Sequence, residues 1–502
     1  MLSNKLMQSL AVRKRLQDLG VVAIPSSALS RTHRQRLLTS GFIREVMKGW
    51  YIPSTPDEPA NEPTAWVAHF WSFAAGYLGQ RFGEDWCLGP EQSLKLHVGD
   101  FTVPRRLVAR SPRGGNKPVP LLHDTVLIDL RLKMPDPQDI NTLDGLRLMS
   151  LAAALIACPP GSFAEDPIVA RAALALIGDA SLLVSRLLGG GHSVVAGRLA
   201  GALRNMGRDR LAERIVAAMR SAGYTVNERD PFPDRLPAAR AGRGGSPEVD
   251  RLRMMWQRLR SPILQSFPPS PGPVPHPAAY LEAVETGFTV DAFHSLSLEG
   301  YRVNAELIQR AQTEEPVAGP ADRDALAARG YWLAFQAVKK SIERVLAGED
   351  AGAVACDQQG VWYRALFAPG LAPGLLEGAA RGGYRHGPGI DRFSMAIPPR
   401  HEVVSELMRV FFELLQEETE PGVRVVMGHF AFLYIRPYID GNGPIGRFLM
   451  NVLRAAGGYP WPVIPLSRRV DYRAALESAR VEANIVPLAN FLAGSLVDSV
   501  RG

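Results

Sequence analysis

Two apolar runs separated by a short glycine-rich loop constrain the C-terminal half of this chain more than any other feature. The first run covers residues 425–435 and the second residues 448–453, and the sequence from 435 to 447 reads I-R-P-Y-I-D-G-N-G-P-I-G-R. Apolar runs interrupted by Gly and Asn predict a helix, a tight loop and a second helix. We therefore expect two packed helices that hold the loop between them.

The loop carries the residue types of a phosphate site. Gly441 and Gly443 permit positive φ and can turn successive N–H groups toward one point, where the N-terminus of the next helix also favours an anion. Asp440 is a hard oxygen ligand for Mg²⁺, and Arg447 supplies a cation for a phosphate. The string D-G-N-G alone also forms ordinary turns. The candidate nucleotide-binding residues are Asp440, Gly441, Asn442, Gly443, Pro444, Ile445, Gly446 and Arg447.

Residues 292–497 resemble the Fic (Fido) family, whose signature is H-x-F-x-(D/E)-G-N-G-R-x-x-R. The chain matches it at Asp440, Gly441, Asn442, Gly443 and Arg447, and Tyr438 fills the aromatic position. The resemblance implies an all-α domain with a small β-hairpin flap. It also implies that ATP and Mg²⁺ bind at the loop and that AMP is transferred to a target protein.

Two positions depart from this signature. Arg436 stands where the family has the histidine that acts as general base, and Pro444 replaces the first phosphate-contacting arginine. A guanidinium stays protonated and has no lone pair to offer, so Arg436 cannot accept the proton of a hydroxyl. We therefore expect AMP transfer to be lost or strongly reduced and ATP binding to be weakened. The nearest histidine is His429, which we expect to pack inside the helix bundle.

A second family element precedes the loop. Ser295, Glu299 and Gly300 match the S-x-x-x-E-G pattern of the inhibitory helix near residues 295–300, which implies that Glu299 pairs with Arg447 and opposes ATP. An isolated S-x-x-x-E-G is otherwise a solvent-facing helix end. Residues 381–399 are placed like the flap that aligns a target protein, although their Gly and Pro content also describes an ordinary loop.

The first 54 residues have the pattern of a small module of two helices and a hairpin, for which we predict DNA binding. Apolar periodicity predicts a helix over 6–19, a basic helix over 31–38 and a hairpin that turns at Lys48-Gly49. This order resembles the winged helix of antitoxins in abortive-infection toxin–antitoxin systems. The implied DNA-binding residues are Arg31, His33, Arg34, Arg36 and Lys48. The alternative is a basic, solvated helix pair that packs on its neighbour.

The rest of the chain divides into three parts. Residues 64–227 resemble the α/β companion domain of those antitoxins, with strands expected at 93–98, 106–109 and 125–130 and helices at 143–157 and 193–222. Proline and glycine predict a linker over 229–278 with a lone helix at 251–260. Residues 279–502 form the Fic-like part. The predicted fold class is thus multidomain, with a winged helix, an α/β domain and an all-α domain.

Composition limits the choice of function. The 502 residues have a net charge of +7, which favours an acidic partner such as DNA, and no apolar stretch reaches membrane-spanning length. We expect a cytoplasmic protein with no membrane partner. The leading hypothesis is a regulatory protein that binds ATP and DNA. The alternative is an active protein adenylyltransferase that Glu299 autoinhibits, and a third possibility is a structural module whose loop binds nothing.

Overall fold

The computed structural model describes residues 4–59, 61–234, 245–313, 323–370, 383–389 and 391–501. The chain forms two compact units. One contains the residues up to Arg251 together with the segment 390–397, and the other contains residues 252–389 and 398–502. The second unit coincides with most of the part that the sequence assigns to the Fic-like domain.

The N-terminal 53 residues have the element order that the sequence predicts. The elements are α1 (Asn4–Asp18), β1 (Ile24–Pro25), α2 (Arg31–Thr39), β2 (Ile43–Met47) and β3 (Trp50–Pro53). The strands form an antiparallel sheet in the order β1-β3-β2, and Gly49 takes φ 83° in the turn between β2 and β3. A small core closes this part; its members include Ile24, Leu37 and Tyr51.

A mixed sheet follows, and it packs with the aromatic helix α3. The elements are α3 (Thr64–Phe82), β4 (Cys87–Leu88), α4 (Pro90–His97), β5 (Arg106–Ser111), β6 (Pro118–Pro120), β7 (Val126–Arg131), β8 (Ile140–Leu143) and β9 (Leu146–Met149). The sheet order is β4-β5-β7-β6, with β5 and β7 parallel. Trp66, Phe70 and Phe73 of α3 are buried in its core.

Helices complete the first unit. They are α5 (Leu151–Ala157), α6 (Ser162–Glu165), α7 (Pro167–Ala175), α8 (Ser181–Gly189), α9 (Ser193–Asn205) and α10 (Asp209–Ser221). The single helix predicted over 193–222 is therefore a pair, α9 and α10. Gly207 takes φ 69° between them and ends the first helix.

Two predictions for this unit were wrong. The predicted strand 93–98 is instead the last part of helix α4, which ends at His97 with Val98 as its C-cap, because Pro90 occupies the first turn of this helix and Glu91 favours its N-terminal end. The first half of the predicted helix 143–157 is instead part of the hairpin β8–β9. Asp144 and Gly145 both have positive φ, 50° and 81°, and a two-residue turn of this kind joins antiparallel strands.

A segment from late in the chain also belongs to the first unit. The Val103 N–H donates to the Met395 carbonyl at 3.0 Å, and the Thr64 hydroxyl donates to the Arg392 carbonyl at 3.5 Å. Met395 and Ile397 pack against the core around α3. These residues lie within the predicted flap, 381–399. Residues 381, 382 and 390 lie outside the described residues, and no strand forms over 383–389 or 391–399, so the described part contains no hairpin.

The second unit is helical. Helix α11 (Pro247–Ser266) begins in the first unit and belongs to the second from Leu252 onward. The other elements are α12 (Pro277–Thr286), α13 (Phe288–Leu298), α14 (Ala305–Arg310), α15 (Arg323–Leu346), α16 (Ala351–Phe367), α17 (Val404–Glu417), α18 (Pro421–Ile435), α19 (Asn442–Ala456), α20 (Arg469–Val481) and α21 (Val486–Arg501). No strand occurs among its described residues. Helix α19 packs against α15, α16 and α18, which confirms the predicted helix, loop and helix.

The predicted linker over 229–278 differs from the structure. Residues 235–244 lie outside the described residues, but α11 covers twenty positions where a lone helix of ten was expected. Its buried side chains include Leu252, Trp256, Leu259 and Ile263, which recur every three or four residues on one face. The prolines on both sides of this segment led to the prediction of a linker, although the apolar residues inside it recur with helical periodicity. Among the helices that the structure describes, none is long and apolar enough to cross a membrane.

Candidate functional site

The loop between α18 and α19 is shaped by two residues in the left-handed region. Helix α18 ends at Ile435, and Arg436 follows with φ 48° and ψ 66°, while its N–H still donates to the Phe432 carbonyl at 2.9 Å. Gly441 has φ 73° and precedes the first residue of α19. Glycine tolerates this conformation, whereas a non-glycine residue rarely adopts it. The surrounding contacts therefore hold Arg436 in an unfavourable backbone conformation.

The side chain of Asn442 stabilises the loop by hydrogen bonds to the backbone of Tyr438. Its Oδ1 accepts the Tyr438 N–H at 3.0 Å, and its Nδ2 donates to the Tyr438 carbonyl at 2.8 Å. The Tyr438 ring stacks on Tyr363 with centroids 3.7 Å apart, and the Tyr438 hydroxyl donates to Gln359 Oε1. Burial raises the pKa of Tyr438, so the hydroxyl stays protonated. Asn442, predicted as a ligand residue, thus uses its side chain to hold the loop.

The first turn of α19 contains the predicted residues Pro444, Ile445 and Gly446, all of them buried. The Ile445 N–H donates to the Gly441 carbonyl at 3.1 Å and closes this turn. Proline fits the first turn of a helix because the N–H that it lacks would have no helical partner there. Pro444 is therefore compatible with the helical backbone at this point, and it contributes no positive charge to the loop.

His429 lies inside the helix bundle, as the sequence predicts. It is fully buried, its Nδ1 lies 2.9 Å from the Gly446 carbonyl, and its Nε2 lies 2.7 Å from the Tyr472 hydroxyl. A carbonyl only accepts, so Nδ1 carries the proton and Nε2 accepts from Tyr472. Burial lowers the pKa of His429 to about 3. Both nitrogens are occupied, and the ring cannot serve as a base for a hydroxyl at the loop.

Arg447 pairs with Glu299. Its Nη2 donates to Glu299 Oε1 at 2.8 Å and to the Ser295 carbonyl at 3.1 Å, and its Nε donates to Ser295 Oγ at 2.8 Å. Burial by itself would lower the pKa of Arg447, but the charge and hydrogen bond of Glu299 together with Tyr472 and Tyr331 outweigh it, and the pKa is raised. The predicted Ser295, Glu299 and Arg447 therefore meet, and Gly300, with φ 90°, ends the turn after α13.

A buried carboxyl group lies one helical turn before Ser295. The Tyr331 hydroxyl donates to Asp291 Oδ2 at 2.7 Å, and burial raises the pKa of Asp291 to about 6 although Arg447 opposes this shift. Asp291 therefore belongs to the packing that orients α13, and the sequence offered no signal for it.

The carboxylate of Asp440 is of the type that Mg²⁺ takes as a ligand. It is exposed, and its Oδ1 accepts the Gly441 N–H at 2.8 Å. Within the described ranges there is no cluster of three or more His, Cys, Asp or Glu side chains that could hold a metal ion. Mg²⁺ commonly takes one or two carboxylates and completes its shell with phosphate oxygens and water. Asp440 can thus contribute to such an ion only together with a phosphate ligand.

Arg385 supports the loop, and no sequence motif indicated it. This arginine is 2% exposed; its backbone N–H donates to the Pro437 carbonyl at 2.8 Å and its Nε to the Arg436 carbonyl at 2.8 Å. It lies 51 positions before Arg436 in sequence, so the contact is a product of the tertiary fold.

Contacts within the N-terminal part engage three of the five basic residues predicted to bind DNA. His33 Nδ1 lies 2.9 Å from the Ser9 hydroxyl, Arg34 donates to the Ser26 carbonyl at 3.2 Å, and Arg36 donates to the Lys5 carbonyl at 3.3 Å. Arg31, at the start of α2, and Lys48, in the hairpin turn, are exposed. Arg31 and Lys48 are therefore the two exposed members of the predicted DNA-binding set.

The loop thus defines a class of site: a tight turn that leads into a helix N-terminus, with an arginine held by a carboxylate from another helix. Residues 366–453 match the Fic/DOC family. The C-terminal part of this chain therefore contains a Fic/DOC domain.

Similar proteins carry the same family name. The protein adenylyltransferase Fic of Drosophila willistoni is 35% identical over 101 residues, which are 19% of this chain and 20% of that protein. That of Drosophila erecta is 36% identical over 101 residues, with the same shares. The chain thus matches about a fifth of the length of these relatives.

Solved structures show weaker similarity. Fic-1 from C. elegans has 16% identity and a TM-score of 0.36, and the match covers 66% of this chain and 96% of that one. A Fic family protein from Desulfovibrio desulfuricans has 20% identity and a TM-score of 0.35, with 47% and 76% covered. TM-scores this low add nothing to the family match made from sequence.

Proposed function

We propose that this protein is a regulatory Fic-domain protein that binds ATP with Mg²⁺ at the loop 436–447 and that has lost, or nearly lost, AMP transfer. The observation that carries the proposal is the state of the loop. Its turn, its helix N-terminus and Arg447 are intact, while the position of the general base is occupied by Arg436.

Nucleotide binding is supported by what Glu299 does in the site. Its carboxylate bonds Arg447 and lies beside Gly443 in the first turn of α19, where an anion is favoured by free N–H groups and by the helix dipole. A carboxylate oxygen here stands in for a phosphate oxygen. ATP would compete with Glu299 for the same cation, and Asp440 would hold the Mg²⁺ that neutralises the phosphates.

The loss of transfer is supported by the state of the two residues considered as a base, Arg436 and His429. Arg436 stays protonated at neutral pH, and both ring nitrogens of His429 are occupied inside the bundle. Pro444 leaves the loop without the family's first arginine, so the phosphates have one cation fewer. Binding without transfer is the outcome that these residues favour.

DNA binding is the second part of the proposal. The N-terminal helices and the β2–β3 hairpin have the order of a winged helix, and Arg31 of α2 and Lys48 of the hairpin turn are exposed. In such a domain a helix and a wing contact the DNA, so these two side chains would be available to phosphates. The net charge of +7 suits a polyanion. We include in the proposal that the protein is a cytoplasmic regulator of the toxin–antitoxin type. A target protein would bind it at residues 381–399.

The alternative is an active protein adenylyltransferase that Glu299 autoinhibits. The pairing of Glu299 with Arg447, reinforced by Ser295, favours it, because a catalytically dead domain would have no transfer to restrain. Under this alternative another residue would supply the base, or the reaction would need none.

One titration tests the proposal. Mg·ATP is titrated calorimetrically into the full chain, into Arg447→Ala and into Arg409→Ala, an exposed arginine of α17 that serves as the matched control. We expect saturable binding in the full chain and the control and a loss of at least tenfold in affinity in Arg447→Ala. Equal binding in all three proteins, or no binding in any, would refute an ATP site at this loop.

A further inference from the structure

The guanidinium of Arg385 gathers backbone carbonyls at the entrance of the loop. Besides the bond from Nε to Arg436, Nη1 donates to the Gly387 carbonyl at 2.8 Å, and Nη2 donates to the Pro399 carbonyl and to the Ile435 carbonyl at 3.4 Å. Together with its backbone N–H, this one residue binds three consecutive carbonyls, those of Ile435, Arg436 and Pro437.

The Ile435 carbonyl is one of the groups that a helix end leaves without partners, and the carbonyls of Arg436 and Pro437 follow directly after it. The last carbonyls of α18 lack a helical N–H, and the helix dipole makes this end negative, so a cation is favoured there. The planar guanidinium can direct several N–H groups to separate acceptors, which the compact ammonium of lysine cannot reproduce. Arg385 is therefore matched in shape and in charge to the point where α18 becomes the loop.

The position is electrostatically unfavourable in other respects. Within the described residues the bonds of Arg385 go to backbone carbonyls, and none goes to a carboxylate. Burial and the nearby charge of Arg436 together lower the pKa of Arg385 to about 10, against the opposing effect of Glu402. A buried cation next to a second cation is unfavourable for stability by itself. Its presence indicates a role in the loop.

We propose that Arg385 is a positioning residue that fixes the left-handed conformation of Arg436 and the first half of the loop, and that it thereby sets the nucleotide site. The claim that Arg385 sets the nucleotide site rests on the proposed function, whereas the claim that it fixes the conformation of Arg436 does not. The latter claim depends only on the contacts of Arg385, which bonds three consecutive carbonyls and so holds the backbone of residues 435–437 through one residue. Without these bonds residue 436 would relax from its strained conformation.

The test compares Arg385→Lys with Arg454→Lys in the full chain. Arg454 is the matched control because it is also buried and donates from Nη2 to a helix carbonyl, that of Leu492, at 2.7 Å. Hydrogen exchange is measured at the Arg436 and Tyr438 amides, which are bonded to Phe432 and Asn442. Mg·ATP affinity is measured by calorimetry on the same samples.

We expect Arg385→Lys to speed exchange at these two amides at least tenfold and to weaken ATP at least tenfold, while Arg454→Lys leaves both near their starting values. Unchanged exchange at Tyr438, or a loss of protection spread evenly over the whole unit, would overturn the proposal. If Arg385→Lys does not fold, Arg385→Gln carries the same expectation. If the unmodified chain binds no ATP, the proposed function fails and the exchange rates alone decide the role of Arg385.

Discussion

The carboxylate of Glu299 lies directly against the α-carbon of Gly443. A Cβ placed on Gly443 would come within 2.1 Å of Glu299 Oε1 and within 3.2 Å of Arg447 Nη1. Only glycine at this position lets the carboxylate reach the first turn of α19 and its arginine at once. The pairing of Glu299 with Arg447 therefore depends on the backbone of the loop as well as on the two charges.

Removing the negative charge should tighten ATP. In Glu299→Gln the amide bonds Arg447 less strongly, so ATP no longer displaces a charge-assisted bond worth about 1.5–3 kcal/mol. Because 1.4 kcal/mol corresponds to a factor of ten, we expect the dissociation constant to fall roughly tenfold or more, as measured by calorimetry. Glu306→Gln, an exposed glutamate of α14, is the control and should change nothing. An unchanged constant in Glu299→Gln would show that the carboxylate does not compete with nucleotide.

Restoring the family's residues should restore transfer. We expect no self-labelling from labelled ATP above background in the unmodified chain or in Glu299→Gly, because in both proteins Arg436 stands at the position of the general base and cannot accept a proton. The triple change Arg436→His, Pro444→Arg and Glu299→Gly should label measurably. Histidine is also more common than arginine in the left-handed region, so the change at Arg436 should not destabilise the loop. Robust labelling in Glu299→Gly alone would favour the autoinhibited enzyme.

DNA binding should depend most on the two exposed basic residues. Arg31→Ala and Lys48→Ala should each weaken binding to a duplex and lower the slope of log affinity against log salt by about 1, because each removes one phosphate contact. Lys133→Ala, at another exposed site of this unit, is the control. Arg34→Ala should act through stability, since Arg34 bonds the Ser26 carbonyl. Binding that is absent or insensitive to salt would point to a protein-interaction module.

Stability should decrease as the pH rises through the range in which Asp291 ionises. The pKa of Asp291 is raised from 3.8 to about 6 in the fold, so between these values the folded chain holds a proton that the unfolded chain has released. Its contribution to stability is therefore present below about pH 4 and lost by pH 6, on the order of 2–3 kcal/mol.

The variant Asp291→Asn resembles the protonated carboxyl, and it should flatten this dependence and unfold at higher denaturant concentration at pH 7. Asp471→Asn, with a side chain 67% exposed, is the control. Denaturant melts at pH 4, 5, 6 and 7 measure the effect. A slope that persists in Asp291→Asn would assign it to other groups.

The sequence predicted those parts of the site that are carried by local pattern. The loop, its left-handed Gly441 and the meeting of Glu299 with Arg447 follow from short motifs, and the Lys48-Gly49 turn follows from glycine between two strand-like runs. It could not predict Arg385, whose acceptors are brought to it by tertiary packing.

The errors in secondary structure have related physical causes. Residues 93–98 alternate in polarity like a strand, but Pro90 at the start and burial on one face favour a helix. In α11 the prolines on either side suggested a linker, while the apolar face that packs Trp256 overrode their local preference.

The bond between Thr64 and Arg392 joins residues 328 positions apart, and it sets an order of events during synthesis of the chain. A ribosome adding about 5–20 residues per second needs roughly seven to thirty seconds to pass from Arg251 to Ile397. For that interval the nascent N-terminal unit has every element except the piece that covers its core with Met395 and Ile397. A chain that stops early would thus release an N-terminal unit with an open apolar face, which exposes it to aggregation and proteolysis.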